Sequence, residues 1–178
     1  ASELLSQPEH GVDSQVVLLC ISDSFIRKVK VEIESQLEEL PRREIAEKAL
    51  SKSLIVKFDD MDQCMAFSNE YAPEHLIISC LKAISYADKI KNAGSVFLGP
   101  MTCESAGDYA SGTNHTLPTN AYAKSYSGVS MDSFYKAITF QEISSKGLKN
   151  IGPAIETMAA AESLMAHKNA VSIRLKDI

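Results

Sequence analysis

Four short apolar runs, separated by longer stretches of helical character, constrain the fold of this chain more than any other feature. Gln15-Val-Val-Leu-Leu-Cys-Ile-Ser22, Leu54-Ile-Val-Lys-Phe58, Leu76-Ile-Ile-Ser-Cys80 and Ser95-Val-Phe-Leu98 read as strands. After the first, Ile26, Val29, Ile33 and Leu37 recur at helical spacing until Pro41 interrupts, and Ile45, Ala49 and Leu50 resume the pattern up to Ser53. Asp59 or Asp60 is expected to cap a helix through about Tyr71. Another helix is expected over 81–91, stopped by Asn92-Ala-Gly94. Strands alternating with helices of this length imply a parallel sheet. The expectation is an α/β domain whose Rossmann-like parallel sheet, with helices on both faces, is incomplete, because only four strands are visible.

From Gly99 to Ser130 the sequence turns to Gly, Ser, Thr, Asn and Tyr without a sustained period, a long loop after the carboxyl end of a strand, where ligands are commonly met. Beyond it, a helix near 131–137, a strand at 138–143, a helix from Gly152 to about Ala166 with Pro153 in its first turn, and a closing strand at 171–175 are expected. Residues 1–130 are therefore read as the α/β domain and 131–178 as a helical carboxyl-terminal arm.

With 18 Lys and Arg against 23 Asp and Glu, the formal charge of −5 leaves no electrostatic footprint for nucleic acid or an anionic membrane. A small-molecule substrate or a protein partner fits better. No apolar run approaches the ~18 residues that span a bilayer, and the first residues lack the basic flank of a signal peptide, so a cytoplasmic protein is expected. Cys20, Cys64, Cys80 and Cys103 show no Cys-x-x-Cys spacing and read as reduced thiols. Cys103, which opens the long loop, is the one alternative candidate for a nucleophile, but no base stands near it in sequence.

The four histidines each follow an acid or amide closely. Gln7 and His10 are three apart, so one turn brings an amide oxygen and an imidazole to the same side; Pro8 disfavours a helical conformation at Gln7, and a turn is expected there. Glu74-His75 stands after Pro73 at a strand start, where the two side chains diverge, and suits either acid–base chemistry or a solvated sheet edge. Asp108 and His115 bracket Tyr-Ala-Ser-Gly-Thr-Asn in the long loop, where Gly107 and Gly112 let the backbone approach closely, which fits a ligand loop or an Asx-type turn. Glu162 and His167 are five apart, about 140° around a regular helix, so His167 is expected at a frayed helix end, where capping the helix dipole is an alternative role.

Five segments carry a resemblance that runs in order along essentially the whole chain: Ser6-Gln-Pro-Glu-His-Gly11, Tyr71-Ala-Pro-Glu-His-Leu76, Ala93-Gly-Ser-Val-Phe-Leu-Gly-Pro100, Glu104-Ser-Ala-Gly-Asp-Tyr-Ala-Ser-Gly-Thr-Asn-His-Thr-Leu-Pro118, and Glu162-Ser-Leu-Met-Ala-His167 with the residues to Val171. Together they resemble the carboxyl-terminal part of the histidinol dehydrogenase family. The resemblance implies a zinc- and NAD-dependent oxidation of L-histidinol to L-histidine through an aldehyde, the last step of histidine biosynthesis. It places zinc ligands on Gln7, His10, Asp108 and His167, the last contributed across a homodimer with exchanged carboxyl-terminal arms. It places the catalytic pair on Glu74 and His75, and substrate contacts on Gln7, His10, His75, Asp108, Glu162 and His167. His115 matches a family histidine near the substrate. The main NAD site is expected in the amino-terminal half that the matched region lacks, so this chain alone is expected to turn over weakly or not at all.

Two positions depart from the family's pattern. Pro8 stands where a small helix former is usual, and Thr113 where proline is common. Two other classes of function compete with the dehydrogenase: a non-catalytic zinc-binding dimerisation module, and a zinc hydrolase using Glu74 as base.

Overall fold

The computed structural model describes residues 1–178, whose contacts divide them into two compact units, Ala1–Phe134 and Tyr135–Ile178. The first unit opens with the short helix α1 (Glu3–Ser6), followed by β1 (Val17–Cys20). Ser22 then caps α2 (Asp23–Glu39), its hydroxyl accepting from Phe25 N at 3.4 Å. The helix ends at Leu40, which adopts extended backbone before Pro41. α3 (Arg43–Leu50) buries Ala46 and Ala49 and leads into β2 (Leu54–Lys57), so the two helices that Pro41 separates in the sequence are present. β2 pairs parallel with β1, Val17 opposite Leu54 and Cys20 opposite Lys57.

Asp60 caps α4 (Met61–Tyr71), its Oδ1 accepting from Gln63 N at 2.8 Å. β3 (His75–Ile78) follows, and β4 (Ser95–Leu98) pairs parallel with it, His75 opposite Ser95 and Ile78 opposite Leu98. The parallel α/β plan read from the sequence is the plan observed. The four strands form two separate two-stranded sheets, β1–β2 and β3–β4. Met65, Ile78 and Ala83 centre the core beside the second pair, with Leu76, Cys80, Tyr86, Ile90 and Leu98 packed around them.

The connection from β3 to β4 differs from the helix expected over 81–91. Ala83–Lys89 winds as a 3-10 helix. Ala83 and Tyr86, three apart, both meet the core, which is the three-residue period of the tighter helix. Asn69 of α4 then fixes the exit: its Nδ2 donates to Lys89 O at 2.8 Å, and its Oδ1 accepts from Lys91 N at 2.7 Å. These bonds deliver the chain to Gly94 and β4.

The segment after the long loop differs most from expectation. The helix near 131–137 is a single 3-10 turn, Met131–Phe134. No strand forms at 138–143, because no neighbouring strand offers it a ladder; Ile138 and Phe140 are exposed. In the second unit, α6 spans Ser145–Ala161, starting at Ser144, whose hydroxyl accepts from Gly147 N at 3.1 Å. Pro153 thus lies inside the helix rather than in its first turn. Ser163, at φ 61°, ends α6 in a Schellman turn, with Leu164 N donating to Ala159 O at 2.8 Å and Ser163 N to Ala160 O at 3.0 Å. α7 (Met165–Lys176) contains the residues expected to form a closing strand; Leu175 packs from it onto Gly152 of α6. A side chain pinned to a helical neighbour holds 171–175 in the 3.6-residue period.

Candidate active site

The site is built where β3 begins. Ala72 ends α4 in the left-handed conformation, φ 53°, and its N–H donates to Ser68 O at 2.8 Å. That turn is buried and sends the chain through Pro73 directly into Glu74 and His75. The backbone here is clamped: Gly94 N donates to Pro73 O at 2.9 Å and Ser95 N to Glu74 O at 2.8 Å. The imidazole of His75 is mostly buried and lies 6.0 Å from the Phe97 ring across the β3–β4 pair.

Opposite this strand end lies α5 (Glu104–Tyr109), the first element of the long loop. Gly107 lets the helix approach Phe97 closely, since a Cβ there would stand 2.8 Å from the ring's Cε1 and 2.7 Å from Thr113 Oγ1. Glu104 and Asp108 are one helical turn apart on the face this approach presents to His75. Ligand atoms of His75, Glu104 and Asp108 all lie within 4.8 Å of one another. Asp108 therefore sits on a short helix, not in the irregular stretch or Asx turn that the sequence left open.

Glu104 is the most unusual group in the site. It is 4% exposed, its Oε1 is buried without a hydrogen-bond partner, and that atom lies 3.7 Å from His75 Nε2. Burial first, and then the neighbouring carboxylates of Asp108, Glu3 and Glu74, push the Glu104 carboxyl up to about 7. No lysine or arginine pairs with any of these four acids. A buried acceptor amid uncompensated negative charge, with an imidazole alongside, is a donor set that suits a divalent cation. The residues present thus fit a zinc ion held near Asp108.

The other predicted residues are distributed as follows. Gln7 follows α1 with helical backbone, φ −69° and ψ −42°, despite the proline after it. Pro8 is fully buried, and Glu9 N donates to Leu5 O at 3.3 Å, so packing and a continued turn outweigh the local steric preference. Residues 7–10 form the expected turn, His10 N donating to Gln7 O at 3.2 Å, with the His10 side chain exposed. His115 is exposed, between Asn114, which donates through its side chain to Val129 O, and Thr116, whose N–H donates to Asn114 Oδ1 at 2.6 Å. Cys103 is an exposed free thiol and is not part of the cluster.

Glu162 and His167 belong to the second unit. Glu162 closes α6 and His167 lies in the first turn of α7, so they stand on different helices. His167 is therefore not at a carboxyl-terminal helix end, and the dipole there presents its positive end to a cation. The dipole-capping alternative falls.

Comparison with known proteins bears on the whole of this arrangement. The family model described as histidinol dehydrogenase matches residues 1–175. The chain belongs to the histidinol dehydrogenase family. It is similar to the histidinol dehydrogenase of Bacteroides thetaiotaomicron, 58% identical over 178 residues, all of this chain and 42% of that protein. The chloroplastic histidinol dehydrogenase of Arabidopsis thaliana is 56% identical over 179 residues, covering all of this chain and 38% of the relative. The crystal structure of histidinol dehydrogenase from Elizabethkingia anophelis superposes with a TM-score of 0.96 at 58% identity, over 99% of this chain and 41% of that one. The chain thus spans about two fifths of the length of the histidinol dehydrogenases it matches. Glu104 is the site residue that the sequence reading missed. Its four-residue spacing from Asp108, just after a strand end, was the available signal. No helix is long and apolar enough to cross a membrane.

Proposed function

We propose that this chain forms the substrate- and metal-binding half of a histidinol dehydrogenase, which oxidises L-histidinol to L-histidine in two NAD-dependent steps through the aldehyde. The observation that carries the reading is the convergence of His75, from β3, with Asp108, from the long loop, in a chain that matches the family from end to end. Gln7, His10 and Asp108 would hold zinc together with His167 of a second copy, in a homodimer that exchanges its carboxyl-terminal arms. Zinc, when bound, would supply a Lewis-acidic anchor for the amino alcohol, and NAD would supply the hydride acceptor.

The chain's own residues then account for the proton movements. His75, clamped at the head of β3, takes the hydroxyl proton of the amino alcohol as hydride departs. Glu74, its neighbour on the diverging side of the strand, works with His75 to deprotonate a water that adds to the aldehyde, giving the hydrate from which the second hydride leaves. Glu162 contacts the substrate, and His115 stands near it. The reading expects a soluble enzyme in the cytoplasm, with no nucleic-acid or membrane partner.

The test joins this chain to the amino-terminal portion that its relatives carry and follows NADH formation with L-histidinol and zinc. Two NADH per histidine are expected, and His75→Ala should reduce kcat by about 10²–10⁴-fold. The chain alone should bind zinc but yield little NADH. Zinc uptake with no turnover in the joined protein would instead support a zinc-binding dimerisation module.

A further inference from the structure

We propose that Glu104 is a positioning residue for His75: its buried carboxyl oxygen accepts from Nε2–H, which fixes the imidazole's rotation and tautomer and leaves Nδ1 as the proton acceptor. The proposal rests on the reading of His75 as the base, and three features of the site support it.

Glu104 Oε1 is buried and lacks a hydrogen-bond partner, so it has lost its hydration with no bond in exchange. The donor-capable atom facing it is His75 Nε2, at 3.7 Å. That distance is too long for a hydrogen bond, but catalytic contacts commonly tighten only when substrate is bound. The imidazole is also bounded by Phe97, so its ring has a wall on one side and the carboxyl oxygen on another. Finally, α5 is held from two sides, by Phe97 of β4 and by Glu3 of α1. Gly107 seats it on Phe97, and Glu104 N donates to Glu3 Oε2 at 3.2 Å. The acid is thus fixed with respect to the strand that carries the base. A histidine with one nitrogen committed to a buried acceptor must present the other as its lone pair, which is how an adjacent acid sets the direction of proton transfer.

The alternative is that Glu104 acts by holding the metal beside Asp108. The two roles separate in experiment. Imidazole nitrogen NMR on the joined protein, with zinc and L-histidinol bound and NAD withheld, should find His75 as the Nε2–H tautomer; the Nδ1–H tautomer would overturn the proposal without recourse to any variant. Glu104→Leu removes the acceptor while keeping bulk, and should disperse the tautomer. Glu104→Gln keeps an acceptor oxygen and should restore it. In the joined enzyme, Glu104→Leu should lower kcat by about 10- to 100-fold, with KM for L-histidinol and zinc content nearly unchanged, and Glu104→Gln should recover most of the loss. Zinc lost in parallel with kcat, or kcat unaffected in Glu104→Leu, rejects the positioning role. Because the NMR result does not depend on turnover, an enzyme that fails to oxidise histidinol while His75 keeps the expected tautomer refutes the proposed function and not the positioning.

Discussion

Gly94 faces the carbonyl of Glu74 so closely that a Cβ at position 94 would lie 2.5 Å from that oxygen. The carbonyl is itself committed to Ser95 N, the first bond of the β3–β4 ladder, so neither backbone can yield without breaking the pairing that aims Glu74 and His75. Gly94→Ala is therefore expected to destabilise the chain by about 1–3 kcal/mol, the usual cost of overpacking. Urea unfolding measures it, and a variant as stable as the parent would show that the turn is looser than this contact implies.

Asn69 ties the end of α4 to the connection before β4 through Lys89 O and Lys91 N, and Asn92 Nδ2 returns a bond to Asn69 O at 2.8 Å. Asn69→Ala removes both of these side-chain bonds, together with the longer one that Oδ1 accepts from Asn92 N at 3.3 Å. With each worth about 0.5–1.5 kcal/mol, a loss of about 1–3 kcal/mol is expected, along with faster amide exchange at Lys91. Unchanged exchange there would refute the anchoring role.

Burial and the surrounding carboxylates push the Glu104 carboxyl up to about 7 in the folded chain, well above the ordinary glutamate range of about 4.3. The folded state therefore binds this proton more tightly than the unfolded state does. Its stabilisation is complete below about pH 4.5 and is lost as pH rises through about 7. Without metal, the chain should lose on the order of 1–3 kcal/mol between about pH 5 and about pH 8 from this group, and Glu104→Gln should flatten that slope. Denaturation in the presence of a chelator tests it; an equally steep slope in the variant would assign the effect elsewhere.

If His10 and His167 are zinc ligands, replacing either with Ala should weaken zinc retention by about 10-fold or more. Metal analysis after dialysis is the measurement. Unchanged metal content in both variants would remove them from the ligand set.

Cys103 is exposed, Cys80 half-buried, and Cys20 and Cys64 buried; burial also pushes the Cys64 thiol up. A thiol reagent should label Cys103 first, with Cys20 and Cys64 reacting only on unfolding. In the joined enzyme, Cys103→Ser should leave kcat unchanged. A loss would revive the thiol as a nucleophile.

The first 100 residues were largely legible because their patterns are local. Pro41 separates two helices whatever surrounds it, and Asp60 caps α4 with its own side chain. The carboxyl-terminal elements were misread for the opposite reason. Pro153 invites a helix start, but Ser144 provides the cap nine residues earlier; Ser163 occupies the left-handed position where glycine would have announced the end. Val171 to Leu175 reads as a strand until Leu175 is seen against Gly152.

By itself, the order of residues determined the strand–helix alternation, the caps, and the identity of the acids and histidines, since propensity and motif depend on near neighbours. Only the folded chain decided that Glu104 is buried beside His75 and Asp108, twenty-nine and thirty-three positions from that histidine in Glu104's and Asp108's own numbering. That neighbourhood depends on a glycine letting α5 settle onto Phe97 and on two parallel strands meeting in one register. Both are long-range contacts, and long-range contacts set the burial and charge on which the chemistry depends.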